Sequence, residues 1–151
     1  MKQKLNLRRI VLVFSLSPFV PLYAAGDLTA QQAVEMTISL SDVENKLRFY
    51  PSVLQFETGK LYKLNIKNPS KKKHYFSAAG LARSVFTRKV EIVNNNKTLV
   101  EVKGQISEIE VYPGGTAEWW FVPVKTLNKS PFHCSIKGHA ESGMIGTISI
   151  K

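Results

Sequence analysis

The sequence of 151 residues contains one cysteine and three histidines, and this scarcity excludes several kinds of protein. A single cysteine cannot form an intramolecular disulfide, so Cys134 is an intermolecular partner, an inert buried thiol or a metal ligand. The chain lacks internal repeats, low-complexity blocks and a long helical period, which argues against disordered and fibrous classes. Its length suits one domain with a hydrophobic core and is too short for two.

Long apolar runs are also missing. The longest, residues 10–20, falls short of the roughly 20 residues that span a bilayer, so we expect no permanent membrane anchor. It follows a basic head without acidic residues and precedes small residues at Ala24 and Ala25, which is the pattern of a cleaved export signal over residues 1–25. The pair Arg8-Arg9 leaves open whether export follows the general or the twin-arginine route.

Charge is unbalanced but moderate. The formal net charge is +10, and residues 1–25 hold four of the 21 Lys and Arg residues and none of the 11 Asp and Glu, which leaves +6 for residues 26–151. This charge favours acidic protein partners. Aromatic residues are not interleaved with the basic ones, and no nucleic-acid motif occurs, so we expect no nucleic-acid binding.

Short segments with β-strand patterns fill residues 26–151. Val34, Met36, Ile38 and Leu40 alternate with polar residues, the period of a half-buried strand. We expect 78–86 to be a loop or short helical turn, 89–93 and 98–102 a hairpin, and 106–112 and 116–122 a second pair joined by Pro113-Gly114-Gly115. A loop through Pro123, Asn128 and Pro131 should precede Phe132. The remaining predicted strands are 53–56, 61–67 and 144–150. The pattern predicts an all-β antiparallel sandwich or barrel.

Three potential metal ligands lie close together before the last strand. Cys134, His139 and Met144 are spaced five residues apart, so one loop could turn all three side chains onto one point. A thiolate, an imidazole and a thioether together suit copper, whereas methionine is a poor ligand for zinc. His74, after a short polar loop, is the candidate for the fourth ligand.

The sequence here resembles the cupredoxins, the type 1 blue-copper proteins. The family's C-terminal pattern is an aromatic residue, a Cys, a loop to Gly-His, then Gly-Met-x-Gly and a strand; its upstream pattern is an Asn that ends a strand, then a His and an aromatic. The loop spacings are most similar to those of auracyanin and rusticyanin, while plastocyanin has a shorter first loop. The matching residues are Asn68, His74, Phe76, Phe132, Cys134, Gly138, His139, Gly143, Met144 and Gly146.

The resemblance implies a Greek-key β-sandwich or barrel of the cupredoxin type, with about seven to nine strands, over residues 26–151. It implies one type 1 copper, with His74, Cys134 and His139 in a trigonal plane and Met144 as the axial contact. His139 would then be the surface electron port, with Gly138 and Ala140 leaving its edge accessible. Tyr75 stands where the family often has Asn, and Lys137 where it often has Pro.

Other interpretations apply to several of these residues. A lone cysteine is often a buried small hydrophobe, and Met144 alone would be core filler. His133 precedes Cys134, as a second-copper ligand does in copper nitrite reductases, but neighbours on a strand face opposite sides, which favours a surface role. Lys71, Lys72 and Lys73 either steer an acidic partner or form a solvated loop. Trp119-Trp120 fit core and rim positions.

These observations favour a monomeric electron-transfer protein rather than an enzyme. It would be exported to a periplasm or thylakoid lumen and bind acidic redox donors and acceptors weakly. The alternative is a copper carrier or an assembly factor for a copper enzyme, although such proteins use Met- and His-rich sites and this chain has only Met36 and Met144 after the signal. A multicopper oxidase would need His-x-His motifs, and a binuclear copper centre a second cysteine; the sequence has neither.

Overall fold

The computed structural model describes residues 26–94 and 97–151. The expected export signal, residues 1–25, lies outside the described residues, as do Asn95 and Asn96 of the expected hairpin turn. A 3₁₀ turn, Leu28–Ala30, and one short helix, α1 (Ala79–Ala82), accompany the strands. Within the described residues no helix has the length and apolar character to cross a bilayer.

Eleven strands are present in the described ranges. They are β1 (Val34–Leu40), β2 (Phe49–Tyr50), β3 (Val53–Phe56), β4 (Tyr62–Lys67), β5 (His74–Ser77), β6 (Val85–Asn94), β7 (Lys97–Val102), β8 (Glu108–Val111), β9 (Thr116–Pro123), β10 (Leu127–His133) and β11 (Ile145–Ile150).

The strands form two sheets, which confirms the predicted all-β sandwich. One sheet has the order β2-β1-β4-β9-β6-β7 and the other β3-β11-β10-β5-β8. The prediction that all pairs are antiparallel is wrong, because β1 pairs with β4 and β3 pairs with β11 in parallel. The strand count exceeds the expected seven to nine because the sequence pattern does not predict β2, β5 and β10. β2 has only two residues, and β5 and β10 carry polar residues or proline that hide their alternation.

The predicted pairing of the strands on either side of Pro113-Gly114-Gly115 is also wrong. β8 pairs with β5 in one sheet, whereas β9 lies between β4 and β6 in the other. The turn therefore carries the chain from sheet to sheet. It is held against the end of β4 by two backbone hydrogen bonds, from Asn68 N to Gly115 O and from Gly114 N to Asn68 O, at 3.0 and 2.8 Å.

The core between the sheets is aromatic. Trp119 from β9 contacts Phe76 from β5 edge to face, with ring centroids 6.5 Å apart, and Phe76 in turn lies 5.2 Å from Phe132 of β10. Such pairs add to the stabilisation from buried apolar area. Trp119 is buried and Trp120 is half-buried, as expected for core and rim.

Gly146 of β11 is required by this packing. A Cβ atom there would lie only 2.3 Å from the Phe132 ring and 2.4 Å from the Ser52 carbonyl oxygen. The last strand can therefore pass beneath Phe132, the residue two before Cys134, only with glycine at this position.

Candidate metal centre

Cys134 is placed by the end of β10. Phe132, its buried neighbour two residues earlier, pairs with Gly146 of β11, so the chain leaves the sheet with Cys134 directed into the molecule. The Cys134 side chain is buried, and its backbone N–H donates to the Met144 carbonyl at 3.1 Å. This bond closes the loop 134–144 at its base.

Hydrogen bonds inside that loop fix the second histidine. His139 N donates to Ile136 O at 3.0 Å, and Met144 N donates to His139 O at 2.9 Å. Gly138 and Gly143 have φ of +84° and +101°, in the left-handed region that glycine adopts without steric cost. The four residues between each pair of candidate ligands thus form tight turns, and His139 is half-buried with its ring toward Cys134.

His74 is far from Cys134 in the chain but lies on β5, the strand next to β10 in the same sheet. It is the first residue of β5, pairs with Val111 of β8, and is fully buried. Its Nε2 atom has no hydrogen-bond partner among the described residues, and its Nδ1 atom faces sulfur. A buried imidazole whose polar neighbours are a thiol and another imidazole is in the environment of a metal ligand rather than of a hydrogen-bonded core histidine.

The three side chains converge on one point. Cys134 Sγ lies 3.4 Å from His139 Nδ1 and 3.9 Å from His74 Nδ1. The candidate donor atoms all lie within 4.8 Å of one another, and the two imidazole rings are 5.2 Å apart at their centroids. A single ion between them could contact all three donors. A thiolate with two imidazoles can bind copper, zinc or iron. A thioether as an additional ligand would favour copper over the other two metals.

Met144 is fully buried in the same part of the core. Its backbone is tied to both Cys134 and His139 by the hydrogen bonds described above. The axial position of its sulfur stays a prediction, while its main chain forms the frame of the ligand loop.

The electrostatic surroundings keep the imidazoles neutral. Burial lowers the pKa of His74 to about 4, with smaller contributions from the neighbouring His139 and from the positive charge of Lys72. Burial and Lys72 also lower the pKa of His139. At neutral pH both rings therefore have a free nitrogen lone pair, which is the form that binds a metal ion.

Asn68 organises the approach to His74. Its side chain is buried; Nδ2 donates to Val111 O and Lys72 O at 2.7 and 2.8 Å, and Oδ1 accepts from Ser70 N and Ser70 Oγ at 3.1 and 2.7 Å. Two backbone bonds to the 113–115 turn complete its hydrogen bonding. Asn68 therefore joins the end of β4, the loop before His74 and the strand paired with His74.

Two of these contacts were not predicted from the sequence. The role of Asn68 as a hub is one, since Asn-Pro-Ser is typical of any strand end. The other is the backbone N–H of Tyr75, which donates to Cys134 Sγ at 3.4 Å. Any residue type other than proline provides this donor, so no sequence signal marks it.

His133 does not join the group. It is exposed, as the alternation of β10 predicts, and lines a separate open cleft with Ser77, Arg83 and Glu108. Its imidazole faces the opposite side of the strand from Cys134.

The three lysines before His74 are exposed but differ in their contacts. Lys73 Nζ lies 2.8 Å from Glu110 Oε1 and sits over the rings of Tyr75 and Tyr112. The Lys71 backbone N–H donates to Asn45. The Lys72 carbonyl is held by Asn68 and by Ser70 Oγ. Gly138 and Ala140 flank His139 and are half-buried.

Comparison with known proteins finds similar folds among solved structures, at low sequence identity. No protein-family model and no curated protein matches the sequence. Among solved structures, a multicopper oxidase from Campylobacter jejuni is 16% identical with a TM-score of 0.53, covering 81% of this chain and 31% of the oxidase. Reduced auracyanin from the photosynthetic bacterium Roseiflexus castenholzii is 14% identical with a TM-score of 0.50, covering 80% of this chain and 99% of auracyanin.

A third match is the copper nitrite reductase from Nitrosomonas europaea, 12% identical with a TM-score of 0.54, covering 82% of this chain and 51% of the reductase. The chain thus spans about a third of the oxidase and half of the reductase, but nearly all of auracyanin. At these identities the likeness is one of fold, and fold alone does not fix function.

The hydrogen bonding of Asn68 leads to a stability prediction. We expect Asn68→Ala to lower the free energy of unfolding by about 2–3 kcal/mol, because it leaves the buried Val111 carbonyl and the Ser70 donors short of partners. Urea unfolding measures the change. Asn65→Ala, at a half-buried site on β4, is the control and should cost less than about 0.5 kcal/mol. Equal losses in the two variants would show that the hub has no special role.

Proposed function

We propose that this chain, which has the fold of the cupredoxins, binds one type 1 copper ion and carries single electrons between redox proteins. His74, Cys134 and His139 would hold the ion, with the Met144 thioether as a fourth ligand. The observation that carries the proposal is the convergence of one thiol and two imidazoles within 4.8 Å, on residues that β5 and the connection from β10 to β11 supply from a single sheet.

The donor set suits a one-electron centre. Bound copper would supply a couple between its cuprous and cupric forms, and soft sulfur together with imidazole accommodates both. The protein's part is to keep the donors in place. Cys134 is anchored by the Met144 carbonyl and its sulfur accepts the Tyr75 N–H, while His74 is fixed by β-sheet pairing. Ligands held by a rigid scaffold rearrange little, which favours fast transfer.

His139 offers the exit route for the electron. Its ring contacts the Cys134 sulfur, and it is the only candidate imidazole of the site that reaches solvent, since His74 is fully buried. Gly138 and Ala140 leave one side of it without bulky side chains. A partner could therefore approach the ring edge directly.

The small number of histidines and methionines supports a role as an electron carrier rather than as an enzyme or a copper carrier. Two of the three histidines in the chain belong to the site, and the third, His133, faces a different cleft. Met36, the other methionine after residue 25, packs partly buried against the core instead of joining an exposed methionine cluster.

The proposal includes export to a periplasm or thylakoid lumen. Its support is the basic head, apolar segment and small residues of 1–25. In such a compartment a buried, metal-bound thiolate would be protected from forming disulfides with other proteins.

Copper loading tests the site directly. Adding one equivalent of Cu(II) to the purified domain should produce an intense visible absorption from charge transfer between Cys134 thiolate and copper. Cys134→Ser should abolish it, because the donor sulfur is lost. His133→Ala is the matched control and should keep the full absorption, since His133 faces away from the site.

The same loaded sample separates the two functions. Repeated reduction and reoxidation at an electrode without loss of copper supports electron transfer. Ready release of copper to a chelator of moderate affinity would support a copper carrier instead. If the wild type and Cys134→Ser have identical spectra, the proposed centre does not exist.

The exposed lysines should guide partners to this end of the molecule. Lys71, Lys72 and Lys73 precede His74, and a positive patch accelerates encounter with acidic surfaces. We expect the reduced protein to be oxidised by hexacyanoferrate(III) at a rate that falls with ionic strength, and Lys71→Glu to lower the low-salt rate severalfold. Lys125→Glu is the matched control. The loop that contains Lys71 is next to the start of β9, because Lys67 pairs with Thr116, whereas Lys125 follows the end of that strand. Equal effects of the two substitutions would refute steering by this loop.

A further inference from the structure

A cleft of about 500 Å³ lies where the end of α1, the start of β6, the loop before β8 and the residues after β9 meet. None of the four candidate metal ligands lines it, so it is distinct from the candidate metal centre. Clefts of this size accommodate small-molecule ligands.

The charged side chains that line the cleft are all positive. Arg83, which follows α1, and Lys125, which follows β9, are both exposed, and no acidic residue lines the cleft in the described part of the chain. Neither cation forms an ion pair with another described residue. Glu108 lines a neighbouring cleft with Arg83, but its carboxylate accepts from Ser77 Oγ. Both positive charges therefore lack an intramolecular counter-charge and can attract an anion.

Thr87 adds a hydroxyl to the lining of the cleft. Its Oγ1 accepts from the indole Nε1 of buried Trp119 at 3.2 Å. A hydroxyl that accepts in this way still has its own hydrogen to donate. A ligand that accepts from Thr87 would therefore change the surroundings of the Trp119 indole N–H.

Apolar residues complete the cleft. Ala82, Val85 and Phe86 line it, and Phe86 is 53% exposed. An inorganic anion would leave most of the volume and this apolar surface in water. The lining therefore suits a ligand that has an apolar body as well as a negative charge.

We propose that this cleft binds a small organic monocarboxylate, with its carboxylate between Arg83 and Lys125 and its apolar body against Val85 and Phe86. A guanidinium matches the planar carboxylate and can donate two parallel hydrogen bonds to it, and the lysine ammonium adds a second positive charge. Binding needs no metal ion, so this site goes beyond the proposed function and does not depend on it.

Titration of the purified, metal-free protein with cyclohexanecarboxylate, followed by heteronuclear NMR, tests the proposal. We expect a dissociation constant on the order of 1 mM and a shift of the Trp119 indole N–H signal, but not of the Trp120 signal. Arg83→Gln and Lys125→Gln should each weaken binding about tenfold, because each removes a charge-assisted hydrogen bond.

Arg88→Gln is the matched control. It removes one positive charge from the same strand as Thr87, but Arg88 lies over the Trp120 ring and does not line the cleft, so the affinity should stay that of the wild type. Cyclohexanecarboxamide, which has the same shape without the charge, should not bind measurably, and inorganic phosphate should bind more weakly than the carboxylate. Equal binding of the carboxamide or of phosphate, an equal loss in Arg88→Gln, or an unmoved Trp119 signal would overturn the proposal.

Discussion

The contact between the Cys134 sulfur and the two imidazoles is the constraint on which the rest of the structure depends. Bringing polar groups out of water is costly unless they find partners, and His74 and Cys134 are buried and separated by 60 residues. The Tyr75 N–H gives the sulfur one hydrogen bond, and a bound ion would give all three donors a common partner. The pairing of β10 with β11 and of β5 with β8 holds the two halves of the site at the correct separation.

The lysines near this contact differ in their effect on it. Neutral imidazoles at physiological pH are ready for a metal, since burial and Lys72 disfavour their protonation. Lys73, in contrast, is compensated by Glu110. In the loop before His74, Lys73 thus pairs with Glu110, whereas Lys72 helps to lower the pKa of both imidazoles. The sequence alone shows only three consecutive lysines.

Much of the fold could be predicted where the pattern is local. β1 has the predicted bounds because its apolar residues alternate with polar ones along the whole strand, and β3 because it is a short apolar run that ends just before the Thr58-Gly59 turn. The sequence predicts a loop for β10 because of Asn128 and Pro131, yet the backbone pairing of Phe132 and its neighbours with β11 makes it a strand. The parallel partners of β1 and β3, and the separation of β8 from β9, depend on which sheet each strand joins, and adjacent turns do not encode that choice.

The site could be predicted for a different reason. Cys134, His139 and Met144 lie in one loop, so their spacing limits where their side chains can lie, and His74 is the candidate from upstream because it follows a short polar loop. The structure brings His74, Cys134 and His139 together, and copper binding by the four residues stays a prediction. The Asn68 hub and the Tyr75 N–H could not be predicted, because one depends on burial and the other on a backbone atom.

The most direct measurement of the central claim is X-ray absorption at the copper edge of the loaded wild-type protein, in both oxidation states. The account predicts one short copper–sulfur distance and two imidazole nitrogen neighbours, and both features should remain when the copper is reduced. A copper environment with only nitrogen and oxygen neighbours would contradict it, since Cys134 would then lie outside the site.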